Sequence, residues 1–371
     1  MDERVRTRQG ATVEVDEARA VQELSDQLAM PGTSAVAFFC SPRYDLARLA
    51  SCLRGAFDAP LIGCTTAGQI GLRGFQPAGI TAVALASPEL KVTPHAIWPL
   101  SGSLDAAKRI AAHDERRSSQ GTSRAFGVLL VDGLSLRVEG LTAALYQALG
   151  QVPIVGGSAG DDLAFERTHV FADGEFRSDA AVFALFETTL PFTTFKLQHF
   201  VPGPRRLVIT AADAATRLVR EICGRPAAET YAEALGIPLS ELGPATFSRR
   251  PLVLRLGDDV YVRSVQRVHE DGSLSFLCAI DEGIVVRIGE AVDPVTTVSR
   301  AFEDVRSIVP KPEVVLGCDC ILRRIELEER GVAGEVARIY ADNHVVGFNT
   351  YGEQFNAAHV NQTFTGVAIG G

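Results

Sequence analysis

The chain says nearly the same thing twice, and that repetition constrains its fold more than any other feature. "APLIGCTTAGQ" (59–69) and "VPIVGGSAGDD" (152–162) each run from a proline through a short apolar stretch into a turn of very small residues. Pro60 to Gly68 lies over Pro153 to Gly160 with one residue inserted in the first copy. The agreement extends outward. "SAVAFFC" and "AFGVLLV" are strand-like, and after them Leu46, Leu49, Leu53 and Phe57, or Leu134, Val138, Leu141, Leu145 and Leu149, recur at helical spacing. Past the turns "GITAVALA" answers "DAAVFALF", and each leads to a further strand-like segment, "LKVTPHAIWPL" and "FTTFKLQHFVPG". A unit of about 95 residues is too long for a solenoid repeat and suits half a domain. The pattern predicts an α/β (α+β) protein of two domains with mixed β-sheets flanked by helices. Its N-terminal domain is an internal duplication of strand, helix, strand, Gly-rich turn and two strands.

After Pro204 the texture changes. "DAATRLVREICG" and "AAETYAEALG" predict two short helices, each stopped by glycine, and the stretch from Phe247 to Asp293 predicts an antiparallel meander punctuated by Gly-Asp, Asp-Gly and Glu-Gly turns. "PVTTVSRAFEDVRSIV" starts a helix on proline, "EVVLGCDC" is a strand, "GVAGEVARIYADN" a helix, and "VVGFNTYGEQ" and "NQTFTGVAI" are closing strands. The expected division is an N-terminal extension (1–33), a first domain (34–204, halves about 34–120 and 121–204) and a second domain (205–371). A length of 371 residues agrees with two cores rather than one.

A net charge of -9 and an isoelectric point near 5.4 argue against nucleic-acid binding, which needs a basic surface. The opening "MDERVRTRQG" is charged where a secretory signal needs an apolar centre, and no apolar run approaches a membrane span, so a cytoplasmic protein is expected. Seven cysteines without framework spacing fit reduced thiols.

The turns are the first candidates for chemistry. Gly63, Cys64, Thr65, Thr66 and Gly68, with Gly156, Gly157, Ser158 and Gly160, leave backbone N–H groups open to a carboxylate or phosphate; equally, the glycines simply permit close packing. Asp161 and Asp162 suit an amine, a cation or a base, or the cap of the next element. Tyr351 and Glu353 share a strand face and Asn361 returns on the next strand, so the three can line a polar site. Cys64 among turn amides is the one nucleophile that would make the chain an enzyme, although the second copy has Gly157 there.

"IGCTTAGQI", "GGSAGDDLAF" and "VVGFNTYGEQFNAAHVNQTFTGVAI" resemble the signatures of FIST domains, the paired FIST N and FIST C modules of bacterial signal-transduction proteins, over about Ser34 to Ile369. The resemblance implies a non-enzymatic sensory protein for a small ligand. "TFKLQHFVP" and "NTYGEQFNAAHVNQTF" are similar to the nitric-oxide-sensing haem branch of that family (NosP), stand-alone proteins that regulate a histidine kinase or a cyclic-di-GMP enzyme. That likeness implies haem b, held noncovalently because the chain has no Cys-x-x-Cys-His motif. His199, in an apolar run between Phe195 and Phe200, is then the expected axial and metal ligand, with His359 next. The other reading is a FIST sensor of amino acids or other small carboxylates, without haem.

Overall fold

Strands such as Thr33–Cys40 have no polar face, which requires cover on both sides. Ala35, Ala37 and Phe39 point into a central apolar core, while Val36, Phe38 and Cys40 pack outward against two helices. The computed structural model describes residues 5–118, 124–257 and 259–371. The first four residues of the charged N-terminus, the expected junction of the two halves near 120, and Asp258 of the Gly-Asp turn lie outside the described residues. The architecture is α+β with mixed sheets, as the sequence predicts.

The chain builds the same unit three times. The first comprises β1 (Arg6–Thr12), α1 (Glu17–Leu28), β2 (Thr33–Cys40), α2 (Leu46–Ala56), β3 (Leu61–Thr65), the hairpin β4 (Gln69–Gly71) and β5 (Gly74–Gln76), and β6 (Ile80–Ala86). The second comprises β7 (Leu90–Ile97), α3 (Ser103–Ser118), β8 (Arg124–Val131), α4 (Val138–Leu149), β9 (Ile154–Ser158), the hairpin β10 (Val170–Ala172) and β11 (Glu175–Arg177), and β12 (Ala181–Thr188). The third opens with β13 (Phe192–Leu197). A lobe follows: β14 (Phe200–Asp213), β15 (Leu218–Ile222), β16 (Arg225–Pro226), α5 (Ala227–Leu235), α6 (Pro244–Arg249), β17 (Leu252–Leu256), β18 (Asp259–Arg263), β19 (Val265–Val268), β20 (Leu274–Phe276) and β21 (Val285–Ala291). The unit then resumes with α7 (Pro294–Ile308), β22 (Pro312–Cys320), α8 (Ile321–Glu329), α9 (Ala333–Asp342), β23 (Val345–Thr350), the hairpin β24 (Glu353–Phe355) and β25 (Ala358–Val360), and β26 (Phe364–Gly370).

The sheets have the orders β1-β6-β2-β3-β10-β11, β7-β12-β8-β9-β24-β25 and β13-β26-β22-β23-β4-β5. In each, the central pair is parallel (β2 with β3, β8 with β9, β22 with β23) and the last strand of the unit runs antiparallel beside it. Each unit lends its hairpin to another unit's sheet: the first to the third, the second to the first, the third to the second. The inner faces of all three sheets form one core, with Phe39, Leu130, Val155, Leu316 and Phe348 among its members. Helices α1 and α2, α3 and α4, and α7 and α9 cover the outer faces.

Three expectations change. The repetition is threefold, not twofold: "VVGFNTYGEQF" is the third copy of the small-residue turn, and its strands form a third sheet beside those of the first two copies. The segment read as an N-terminal extension supplies β1 and α1 of the first unit. "DAATRLVREICG" is no helix. Its apolar residues Leu218, Val219 and Ile222 are spaced as on a helix, but pairing of β15 with β14 and β20 decides for strand, with Arg217 at φ 56° in the turn.

Candidate functional site

The three turns meet, and they meet each other. The N–H of Ala67 donates to the Asn349 carbonyl (3.0 Å) and that of Asn349 to the Gly68 carbonyl (2.7 Å). Tyr351 N–H donates to Ser158 (3.1 Å) and Ser158 N–H to Gly352 (2.8 Å), while Gly160 N–H donates to Thr65 (3.0 Å). The Ser158 and Gly160 amides, expected to face a ligand, are thus committed to neighbouring turns, and that close approach accounts for the small residues there. A Cβ on Gly160 would stand 2.7 Å from the Ala67 nitrogen. A Cβ on Gly352 would stand 2.2 Å from His359 Nε2. Gly68 sits at φ 134° with Arg324 Nη1 in the space of its missing side chain.

The polar side chains at the turns organise the loops that follow. Asp161 accepts from the N–H groups of Phe165 (2.9 Å), Glu166 (2.8 Å) and Arg167 (2.8 Å), and from the Tyr351 hydroxyl. Asp162 faces Arg43 Nε at 3.2 Å, and burial raises its carboxyl above the usual range. Glu353, fully buried, accepts from the Thr363 N–H (3.0 Å) and hydroxyl (2.5 Å) and from Thr350; burial pushes its carboxyl up to about 8. Thr65 bonds both ways with the His169 backbone, Thr66 donates to the Cys40 carbonyl, and Ser158 Oγ accepts from Gln354 Nε2. Asn361 Nδ2 donates to the Val360 carbonyl (3.2 Å). Cys64 and Gly157 lie in the buried ends of β3 and β9, and burial raises the Cys64 thiol, the opposite of what a nucleophile needs.

The two histidines expected to hold haem are engaged otherwise in this arrangement. His199 is buried with both ring nitrogens taken: Nε2 lies 2.7 Å from Glu326 Oε2 and Nδ1 lies 2.7 Å from Arg323 Nη1. Burial, and the Arg323 charge, hold its pKa below the ordinary value although Glu326 pulls the other way. Nδ1 therefore accepts and Nε2–H donates, leaving no lone pair for iron. Arg323 also donates to Asp319 (2.6 Å), which accepts from Tyr340 (2.8 Å). His359 Nδ1 lies 3.1 Å from Glu139 Oε1, and its Nε2 is pressed against Gly352. Among the described residues no group of three or more His, Cys, Asp or Glu side chains is placed to hold a metal ion.

A ligand has room elsewhere. A cleft of about 610 Å³ opens between β13, α7, the tip of the β24–β25 hairpin and β18 of the lobe, a volume suited to a small molecule. Its walls carry Tyr146, Phe195, Tyr261 and Phe355. Lys196, half-buried on β13, places its ammonium 5.0 Å from the Tyr261 ring and 5.7 Å from the Phe355 ring and makes no ion pair among the described residues. Asp259 and Asp304 stand on other walls of the same cleft. An unpaired ammonium over two aromatic faces is ready for a carboxylate, and the two acids suit a cation. The sequence reading missed these residues. The available signal was Lys196 itself, a single charge within the apolar edge strand "FTTFKL".

Residues 34–225 match the FIST N domain and residues 227–356 the FIST C domain, so the chain belongs to the FIST family. FIST domains are a sensory family thought to bind small ligands, and are ligand-binding rather than catalytic domains. Comparison with curated proteins finds no match. No helix of the described residues is long and apolar enough to cross a membrane. The boundary between the two matched segments falls at β16, inside the lobe.

Proposed function

We propose that this chain is a sensory protein that binds a small zwitterion of the amino-acid kind in the cleft of the third unit and passes the bound state to a partner protein. The observation that carries the reading is Lys196: a half-buried ammonium that makes no ion pair among the described residues, stacked on Tyr261 and Phe355 in a cleft of ligand size, with Asp259 and Asp304 on other walls. The ligand carboxylate takes Lys196, its ammonium faces the acids, and its side chain covers the rings. The alternatives are less well supported by the geometry. A haem-based nitric oxide sensor needs a free histidine nitrogen beside a haem-sized space, and no histidine lines the cleft. A Cys64 enzyme needs an accessible thiolate, and Cys64 is fully buried.

The test is a thermal-shift screen of the full chain against the free L-amino acids, with absorption spectra of the purified protein after expression with added haem. A ligand present at one hundred times its Kd stabilises the chain by about 2.7 kcal/mol. The expected result is a rise in Tm with one amino acid or a related group, lost in Lys196→Ala. A Soret band that shifts on adding nitric oxide, or a screen in which nothing raises Tm, would overturn the reading.

A further inference from the structure

The cleft is walled by two bodies. Every member of the lobe's main hydrophobic core lies between Leu207 and Ile288, so the lobe is packed on itself. It joins the third unit by a two-stranded stem: Phe200 pairs with Ala291, and the Val292 N–H donates to the His199 carbonyl (2.8 Å). Elsewhere α6 of the lobe packs against α8 of the third unit, and polar contacts link the lobe to the second and third units. Arg217 Nη2 reaches Glu139 Oε2 at 2.7 Å, the Ala279 N–H donates to Glu139 Oε1 at 2.8 Å, and Gln362 Nε2 donates to the Phe247 carbonyl at 2.9 Å. The seam also leaves buried polar atoms without partners, namely Ser264 Oγ, Gln362 Oε1 and His359 Nε2. Leu277 joins Ala67, Cys320, Ile321, Leu322 and Tyr351 in a small buried apolar cluster across the seam. Self-contained packing, a narrow stem and an incompletely satisfied polar seam are the marks of bodies with more than one mutual arrangement.

Lys196 ties this seam to the cleft, because its ammonium contacts Phe355 of the third unit and Tyr261 of the lobe together. A carboxylate that draws Lys196 changes the contact between the two bodies, and a ligand touching both favours the arrangement in which it touches them best. We propose that the lobe is the moving part of the sensor: ligand in the cleft draws it toward the third unit about the stem at His199 and Val292, and the contact of Arg217 with Glu139 sets its resting position. This rests on the ligand reading above for its trigger, but not for the mobility itself.

Spin labels report the motion. Cys223 is exposed on the lobe, and Leu104 on α3 is 64% exposed. A Cys52→Ala, Leu104→Cys full chain therefore takes one label on each body. Electron–electron distance measurements are made alone, with each free L-amino acid, and in Arg217→Ala. The inference expects the distance distribution to broaden or shift by more than about 2 Å in Arg217→Ala, and to narrow and shift with an amino acid that raises Tm. If Arg217→Ala fails to fold, Glu139→Gln, which keeps the shape, gives the same reading. An amino acid that raises Tm in a Lys196-dependent way while the distances stay unchanged would overturn the moving lobe and leave the ligand site standing. If no amino acid binds, the ligand reading fails and the Arg217 arm decides the lobe: an unchanged distribution overturns it.

Discussion

The first and third units share one plan and differ at one joint. In the first, β1 passes to α1 through Val13–Asp16, and Asp16 caps the helix by accepting from the Arg19 N–H. In the third, β13 passes to α7 through residues 198–293, and Asp293 caps that helix by accepting from the Thr296 N–H. The cap is the same, and the lobe stands in front of it. The difference teaches where a site comes from on a repeated scaffold: the units supply sheets and core, and the lobe turns the edge strand of one unit into the floor of a cleft.

The sharpest way to break the comparison is at three equivalent glycines. Gly63, Gly156 and Gly347 each face the neighbouring strand of a parallel pair. A Cβ would stand 2.0 Å from the Leu129 carbonyl oxygen at Gly156 and 1.8 Å from the Gly317 carbonyl oxygen at Gly347, whereas at Gly63 it would meet the Phe38 ring at 2.4 Å. Backbone cannot yield as a ring can. Gly347→Ala and Gly156→Ala are expected to cost more than about 4 kcal/mol in urea unfolding, and Gly63→Ala about 1–3 kcal/mol. Equal costs would mean that the Phe38 ring yields no more readily than the backbone does at the other two positions.

Next in size is Arg323→Ala, which leaves His199 Nδ1 buried without a donor and Asp319 without its guanidinium counter-charge. The expected loss is about 3–5 kcal/mol, read from the same unfolding curves. A loss under about 1 kcal/mol would remove this network from the features that hold the stem.

pH separates two buried groups of the third unit. Glu353 has a folded pKa near 8 against 4.5 for the free group, so the folded state holds a proton that the unfolded state has lost. Its contribution is full below pH 4.5 and falls by up to about 1.4 kcal/mol per unit as pH rises toward 8. Gln69 holds the equivalent place in the first unit and does not titrate, so Glu353→Gln should flatten that slope. His199 acts in the opposite sense. Its pKa is depressed from 6.5, so its contribution is present above that pH and is lost as pH falls below it. The stability profile should therefore decline on both sides, and a flat alkaline limb that Glu353→Gln leaves unchanged would refute the assignment.

The smallest structural change carries the functional contrast. Lys196→Ala should weaken ligand binding by about 10- to 100-fold, the worth of one charge-assisted hydrogen bond, with little change in Tm without ligand. Calorimetric titration of both proteins checks it.

Much of the scaffold was legible because two copies kept a proline, an apolar run and a small turn ending in Ala-Gly. The third copy escaped because Phe348 and Tyr351 stand where the others have Cys64 or Gly157 and Ala67 or Ala159, and because the lobe separates β13 from α7. The small turns left two readings open, ligand amides or close packing, and what packs against them is another turn, a partner far away in sequence. Asp161 drew notice as one of a pair of acids and Glu353 as a strand-face neighbour of Tyr351, yet their partners, Tyr351 and Thr363, are set by tertiary contact. The cleft was least legible, since β13, α7, β18 and the β24–β25 hairpin meet only after the units and lobe have assembled.

The passing of hairpins from unit to unit has a consequence for any attempt to cut this protein apart. Shears applied at the boundary between the two family segments would leave β4 without the β23 edge it joins, β9 without its neighbour β24, and the lobe divided at β16. Like a braid of three strands, the fold loses two of its three locks when one strand is pulled out, so half-length fragments should come out of the cell as aggregates and regain shape only when expressed together.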